Sequence, residues 1–368
     1  MTPPRAEPPA PQAALRSATS RLSRWLTALW AEPRPRLAAR ALQPLSWLYA
    51  ALADGHQALY RLGVLQAVRA PVPLLVVGNL VAGGAGKTPA VMTLVGLLRE
   101  QGWTPGVISR GHGRRGAAVQ AVTRHSAAAE VGDEPLLVHM RTGAPVVVGT
   151  DRAAAAAALC AGHPNVDILV ADDGLQHHRL RHDMAVLVFD NRGAGNGLRL
   201  PAGPLRQALP HRVPPHTLVL YNAAQPSTAL PGLCGTRRLA GVLPLTAWWL
   251  GQLPAAGKAS DGGWPALRGR RLLAAAGLAR PETFFTMLEA QGLQIDRLPL
   301  RDHHPLVPPP WPAHTPELIV TEKDAVKLPP DTVGQTRVWV ATLDFQLEPG
   351  FAAALRELCA PFKTHHEP

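Results

Sequence analysis

The chain has 368 residues, 46% of them hydrophobic, and a formal net charge of +11 that arginine supplies almost alone. That length suits two domains of ordinary size, and that apolar content excludes a disordered or fibrous chain. No apolar run is long enough to span a bilayer and no secretion signal opens the chain, so a cytoplasmic protein with an anionic partner is expected: nucleic acid, a phosphorylated substrate or an anionic membrane surface.

Residues 1–18 are rich in Pro and Ala and are expected to be a disordered tail. Residues 19–70 then form an arm. Leu22, Trp25, Leu26, Leu29 and Trp30 recur on one helical face, with Arg21 and Arg24 at its edges. Thr19 or Ser20 is a suitable N-cap, and Pro33 and Pro35 end the helix. A second periodic run after Pro44 carries Leu45, Leu48, Leu52, Leu59 and Leu62, with Trp47, Tyr49 and Tyr60 beside them. Residues 1–70 hold nine arginines against three acids, Glu7, Glu32 and Asp54. A basic amphipathic helix bearing Trp suits a membrane interface, and the same pattern suits a helix packed on a core. The residues leave both open.

From residue 72 strands and helices alternate. Strands are expected at 74–77, 106–109, 145–148, 166–171, 185–189 and 217–221, and helices at 90–98, 134–141 and 152–161. Near-continuous apolar strands between helices mean a parallel sheet covered on both faces, with ligands at the carboxyl ends of its strands. Residues 71–235 read as a phosphate-loop core. Gly/Pro-rich sequence around 225–265 reads as a boundary, and residues 236–368 as a second, smaller α/β domain. Cys160, Cys234 and Cys359 match no metal spacing and read as free thiols.

The first expected strand runs into Val81-Ala82-Gly83-Gly84-Ala85-Gly86-Lys87-Thr88. Strand, glycine loop, Lys-Thr and helix are the parts of a nucleotide phosphate cradle. Backbone N–H groups turn onto phosphate oxygens, Lys87 reaches the β- and γ-phosphates, and the Thr88 hydroxyl ligates Mg²⁺. The first glycine of the strict pattern is replaced by Val81. An apolar strand ending in Asp172-Asp173 is the second half of such a site, where an acid at a strand end holds Mg²⁺ directly or through water. Either acid is suitable. Gln176, His177 and Arg179 follow over the same rim.

Asp133 opens a helix, so it is either a cap or a general base for a hydroxyl proton. Asp302-His303-His304 sits in an expected loop, where a carboxylate can tune a neighbouring imidazole. Leu200-Pro201-Ala202-Gly203-Pro204-Leu205-Arg206 is a rigid loop whose arginine can present a fork to phosphate. Thr321-Glu322-Lys323-Asp324-Ala325-Val326-Lys327 reads as a solvated helix start.

Together these strings resemble tetraacyldisaccharide 4′-kinase, the lipid A 4′-kinase family of Gram-negative bacteria. The likeness runs from about residue 70 to 330 through Val77-Gly78-Asn79, Gly86-Lys87-Thr88-Pro89, Ser109-Arg110-Gly111-His112-Gly113, Gly132-Asp133-Glu134-Pro135, Asp151-Arg152, Asp172-Asp173-Gly174-Leu175-Gln176-His177 and Gly195-Asn196-Gly197. It continues through the Leu200–Arg206 loop, Gly277-Leu278-Ala279-Arg280-Pro281, Asp302-His303-His304 and Thr321-Glu322-Lys323-Asp324. Two departures stand out: Gln207 replaces the usual Glu, and His112 the usual Tyr.

The resemblance implies ATP- and Mg²⁺-dependent phosphorylation of the 4′-hydroxyl of a lipid A disaccharide precursor, in a cleft between two domains. It implies catalytic roles for Asp133, His303, Lys87, Asp173 and Arg206, with Asp133 and His303 paired as the base. It implies nucleotide contacts along Val81–Thr88, metal contacts from Thr88, Asp172 and Asp173, and acceptor contacts from Arg110, Gln176, His177 and Asn196. The acyl chains of the acceptor account for the arm, so peripheral attachment to the cytoplasmic face of the inner membrane through residues 19–66 is expected. A monomer is expected, and no nucleic acid partner. A partitioning or metallochaperone ATPase is the rival reading, but Ala82 stands where its second lysine would be, and it leaves Asp302-His303-His304 unexplained. A nucleic-acid binder is the other, but the basic excess lies mainly in the arm and no recognition module is present.

Overall fold

The computed structural model describes residues 22, 25–32, 35–254 and 263–363. The expected disordered tail, Arg21, Arg24, Thr19, Ser20 and Pro33 lie outside the described residues. The described strands are β1 (Val68–Arg69), β2 (Leu74–Gly78), β3 (Pro105–Ser109), β4 (Gln120–Val122), β5 (Val146–Val148), β6 (Ile168–Asp172), β7 (Leu180–Arg181), β8 (Met184–Asp190), β9 (Thr217–Asn222), β10 (Leu233–Pro244), β11 (Arg271–Ala276), β12 (Gln294–Pro299), β13 (Glu317–Thr321) and β14 (Arg337–Leu347). All but β1 and β7, which pair with each other, join one sheet of order β12-β11-β13-β14-β10-β9-β8-β2-β6-β3-β5-β4.

Its pairs are parallel except β4 with β5 and β10 with β14. Alternate side chains of β2 feed opposite layers. Leu75 and Val77 join one apolar cluster, and Leu74 and Val76 join the other. A strand buried on both faces has no polar side, which is why these strands read as unbroken apolar runs. The helix Lys87–Glu100 lays Ala90, Val91, Leu94, Val95 and Leu98 against the first cluster.

The stretch expected to be a boundary contains β10. Leu233–Gly235 runs parallel to β9, and Gly235–Pro244 runs antiparallel to β14. One strand thus joins residues 71–235 to 236–363. The first apolar cluster also extends from Leu94 and Leu136 to Val320, Val340 and Phe351. The composition of 225–265 concealed this because Gly235 and Gly241 sit inside the strand; Gly241 lies at a shift of register, where glycine is at home. Also unforeseen was β12, a partly exposed edge strand beside β11.

In the arm, residues 25–31 are helical and are followed by the helices Leu37–Ala41 and Gln43–Arg61. The face drawn through Leu22, Trp25, Leu26, Leu29 and Trp30 is divided. Leu22 and Trp25 are exposed, whereas Leu29 is buried and the Trp30 indole N–H donates to the Pro201 carbonyl at 2.9 Å. Trp30 is therefore half-buried against the Pro201 loop. Trp30→Ser is expected to lower stability by about 2 kcal/mol, through lost packing and an unpaired carbonyl. Trp25→Ser should cost about 0.5 kcal/mol or less. Denaturant unfolding of the two variants checks the difference.

Candidate active site

The site lies at the carboxyl ends of β2, β6 and β8. Gly86 caps the helix Lys87–Glu100 at φ 74, in the left-handed region, and an added Cβ would come within 2.2 Å of the Asn222 amide nitrogen. Only glycine fits there. The Lys87 ammonium stands 3.0 Å from Asn79 Oδ1 and 3.2 Å from Asp173 Oδ1. Asn79 also donates to the carbonyls of Val81 and Gly83, so it ties the start of the loop to its lysine. The Ala82 N–H is spent on the Pro204 carbonyl at 2.7 Å, and Val81 is buried. The open amides of the loop therefore begin after Ala82.

Asp172 and Asp173 part company at the end of β6. Asp173, at φ 56, turns toward Lys87 and Arg206, the latter at 3.2 Å. Burial raises its carboxyl, but those two cations prevail and hold it below the usual range. Asp172 is buried, and its Oδ1 accepts no hydrogen bond among the described residues. Burial, with Glu134 and Asp173 nearby, pushes its carboxyl up to about 7 against Lys87 and Arg152. A buried carboxylate oxygen without a partner at a strand end suits a divalent cation. Thr88 stands half-buried on the adjoining first turn of the helix.

Asp133 and His303 meet. His303 Nδ1 lies 2.9 Å from both Asp133 oxygens. The Lys323 ammonium, which only donates, stands 3.4 Å from His303 Nε2. In the neutral ring the proton therefore sits on Nδ1 and is donated to Asp133. Burial raises the Asp133 carboxyl, yet the His303 hydrogen bond, Lys323 and Lys327 outweigh it and leave it below the ordinary value. That same hydrogen bond lifts His303 above its ordinary value, against burial and Lys323. Gly132 is the N-cap of the helix Asp133–Thr142 and no described side chain caps it; Asp133, at its first turn, accepts from the backbone only the neighbouring Glu134 N–H at 2.9 Å.

Gln176 accepts from Arg206 at 3.3 Å. His177 Nε2 and Arg152 Nε are buried without partners among the described residues, and Arg110 is exposed at the rim. Asn196 is a correction: it is buried, donates to the Ala202 carbonyl at 2.9 Å and accepts the Leu198 N–H at 3.1 Å. Its amide shapes the loop and is not presented to an acceptor. The turn at 321–327 is another. Glu322 and Asp324 are buried, and Lys323 reaches Glu134 at 2.9 Å and Asp302 at 3.1 Å. Lys327 binds Asp324 at 2.8 Å and stands 4.0 Å from Asp133.

Sequence reasoning also missed the residues that brace the outside of the phosphate loop. Arg192 donates to the Gly84 carbonyl, and Asn222 to the Ala85 carbonyl, each at 3.0 Å. Arg192 and Arg280 both grip the buried Asp190 at 2.8 Å, and Arg237 donates to Asn222 at 3.0 Å. No motif signals Arg192, Asn222 or Arg237; Arg280 lies in the Gly277–Pro281 string but carried no role there.

A phosphate loop, an acidic strand end and a carboxylate–imidazole pair on one rim of a parallel sheet define a phosphate-loop kinase. A family model described as tetraacyldisaccharide-1-P 4′-kinase matches residues 38–360. The chain belongs to that family and is a phosphotransferase with an alcohol group as acceptor. It is 52% identical over 351 residues to the tetraacyldisaccharide 4′-kinase of Methylibium petroleiphilum, covering 94% of this chain and 96% of that one. It is 50% identical over 324 residues to that of Leptothrix cholodnii, covering 86% and 90%. The fold matches that of the Aquifex aeolicus kinase LpxK, solved in complex with ATP, with a TM-score of 0.71, 24% identity, and coverage of 89% of this chain and 99% of that one.

The raised His303 value fixes a pH dependence. The pair adds stability fully below the ordinary histidine value of 6.5 and loses it as pH rises through the higher folded value. His303→Ala should therefore cost more stability at about pH 6 than at about pH 9. By NMR, the His303 ring should titrate above 6.5 in the parent and lower in Asp133→Asn.

Proposed function

We propose that the chain transfers the γ-phosphoryl group of ATP, with Mg²⁺, to the 4′-hydroxyl of a tetraacyldisaccharide 1-phosphate, a step of lipid A synthesis. The observation that carries this reading is the convergence of Lys87, Asp173 and Arg206 with the Asp133–His303 pair on one rim. The family to which the chain belongs supports the acceptor.

The amides of Gly83–Thr88 cradle the phosphates, and Lys87 and Arg206 balance the charge on the oxygens of the transferring group. Thr88 and Asp172, with Asp173 beside them, would hold Mg²⁺, which would supply positive charge to offset that of the phosphate oxygens. The 4′-oxygen forms a bond to the γ-phosphorus as the bond from that phosphorus to the β,γ-bridging oxygen breaks. The hydroxyl proton passes to Asp133, and His303 holds that carboxylate in place. ADP leaves with the bridging oxygen. Incubation with γ-labelled ATP and the tetraacyldisaccharide 1-phosphate tests the reading. Label in the lipid supports it, and label released only as free phosphate rejects it.

The arm supports peripheral binding to the cytoplasmic face of the inner membrane. Trp25, Leu45, Trp47, Leu48 and Leu52 are exposed on it, with Arg36 and Arg40 alongside. No described helix is long and apolar enough to cross a membrane. A basic amphipathic face instead lies in the interface, drawn by apolar burial and anionic lipid.

Asp133→Ala and His303→Ala should each lower kcat by about a hundredfold or more and leave the KM for ATP within about twofold. The double variant should lose less than the product of the two, because the residues act as one unit. Steady-state kinetics on purified, folded proteins decides it; multiplicative losses would reject the pairing. Trp47→Ser with Leu48→Ser should reduce cosedimentation with anionic phospholipid vesicles by about tenfold or more, each buried side chain contributing about 1.5 kcal/mol or more. High salt should weaken the parent's binding without abolishing it, since screening removes only the charge component. Pelleting of the variant equal to that of the parent would place the membrane contact elsewhere.

A further inference from the structure

The helices of the arm are hydrogen-bonded to residues 196–206 of the core at several points. Asn196 N–H donates to the Trp30 carbonyl at 3.0 Å, and the Trp30 indole donates to Pro201 O at 2.9 Å. The Ser46 hydroxyl donates to Arg199 O at 3.0 Å and accepts the Ala202 N–H at 3.0 Å. The Asp54 carboxylate takes the Arg199 guanidinium at 2.9 Å. The Tyr49 hydroxyl donates to the Arg206 carbonyl at 3.1 Å.

This stretch is also wired to the phosphate loop. Arg206 N–H donates to Leu80 O at 2.8 Å, Ala82 N–H donates to Pro204 O at 2.7 Å, and Leu205 bridges to Val81. At its end the Arg206 side chain reaches Asp173 and Gln176. Ser46 is the only buried residue of the helix Gln43–Arg61, and it is a serine. A helix held only by apolar packing would bury a leucine there. This one spends Ser46 and Tyr49 on polar contacts to one loop, and its outward positions carry Leu45, Leu48 and Leu52.

We infer that the arm is part of the catalytic apparatus as well as an anchor: Ser46 and Tyr49 are positioning residues that set Arg206 on the transferring phosphoryl group through the Arg199–Arg206 backbone. The inference rests on the role proposed above for Arg206. Its physical basis is register. Hydrogen bonds at the carbonyls of Arg199 and Arg206 and the amide of Ala202 fix both ends of the loop, so the guanidinium leaves it in one direction. A misplacement of about 1 Å at such a group is enough to cost two orders of magnitude in rate. Because the outward face of the same helix meets lipid, the backbone that orients Arg206 is the one that the membrane-bound helix holds.

A double-mutant cycle tests this on the full-length protein, with the acceptor in mixed micelles so that membrane delivery is not limiting. Tyr49→Phe removes one hydroxyl, and Ser46→Ala with Tyr49→Phe removes both latches. Phenylalanine keeps the ring packing, and alanine fits the space of serine. The double variant should lower kcat about tenfold, with the KM for ATP changed less than about twofold. In an Arg206→Ala background the same two substitutions should lower kcat less than about twofold, since there is no guanidinium left to position. Vesicle cosedimentation should be unchanged, which separates positioning from anchoring. Two results overturn the inference: folded latch variants with the parent's kcat, or equal losses in both backgrounds. Full activity of Arg206→Ala would reject the role of Arg206 itself, and the inference with it; absence of any transfer by the parent would reject the proposed function instead.

Discussion

The hydrogen bond between Asp133 and His303 joins positions 170 residues apart, and at 2.9 Å it tolerates little displacement of either side. Asp133 opens the helix Asp133–Thr142, packed under the phosphate-loop half of the sheet. His303 sits in a loop after β12, at the opposite end of the strand order. Two bodies on a flexible linker would hold such a bond only part of the time. The continuous sheet, stitched by β10, supplies the rigidity. A second tie lies farther along the same helix, where Arg141 pairs with the buried Glu322, which also accepts the Trp248 indole and the Leu343 N–H, each at 2.9 Å. Removing one partner of such a buried network strands the others, so it favours a single arrangement of the two sides.

Around that bond the site carries uncompensated features that a core built only for stability would lack. Asp173 and His303 both stand near φ 56, a conformation that costs non-glycine residues about 1 kcal/mol or more. Among the described residues Asp172 keeps a buried oxygen unpaired, and His177 and Arg152 keep buried nitrogens unpaired. These side chains border one rim. Strain and unsatisfied polar groups sharing one rim suit a surface that completes itself with a ligand, although His216 and Gln101 carry such features elsewhere.

The β-α alternation of residues 72–221 was legible because burial on both faces removes polar residues from a strand, and that leaves a strong local signal. The phosphate loop was legible because its chemistry needs particular residues in consecutive positions. The boundary expected at 225–265 was not: Gly235 and Gly241 imitate a linker, and only pairing with β9 and β14, both far off in sequence, makes a strand of it. Lys323 and Lys327 looked solvated because a helix start rich in charge normally is, and nothing local revealed that Asp302, Glu134 and Asp133 would face them. Trp30 and Trp25 share a periodicity but not a fate, since the pattern gives the face and not what covers it.

The two departures from the family's usual strings fall beside residues of the site. His112, where the family commonly has Tyr, places its ring centroid 5.5 Å from that of His303. The Lys323 ammonium stands 3.4 Å from His303 Nε2, so in the neutral ring the proton stays on Nδ1 and is donated to Asp133. Gln207, where the family usually has Glu, places no carboxylate next in sequence to Arg206. Asp172, Asp173 and Glu134 already crowd the rim, and their repulsion helps to lift Asp172 to about 7. The Arg206 guanidinium has Asp173 as its single anionic partner among the described residues. Lys87 and Arg206 as cations, with an Asp133 carboxyl held below its ordinary value, supply the condition that transfer of an anionic phosphoryl group demands.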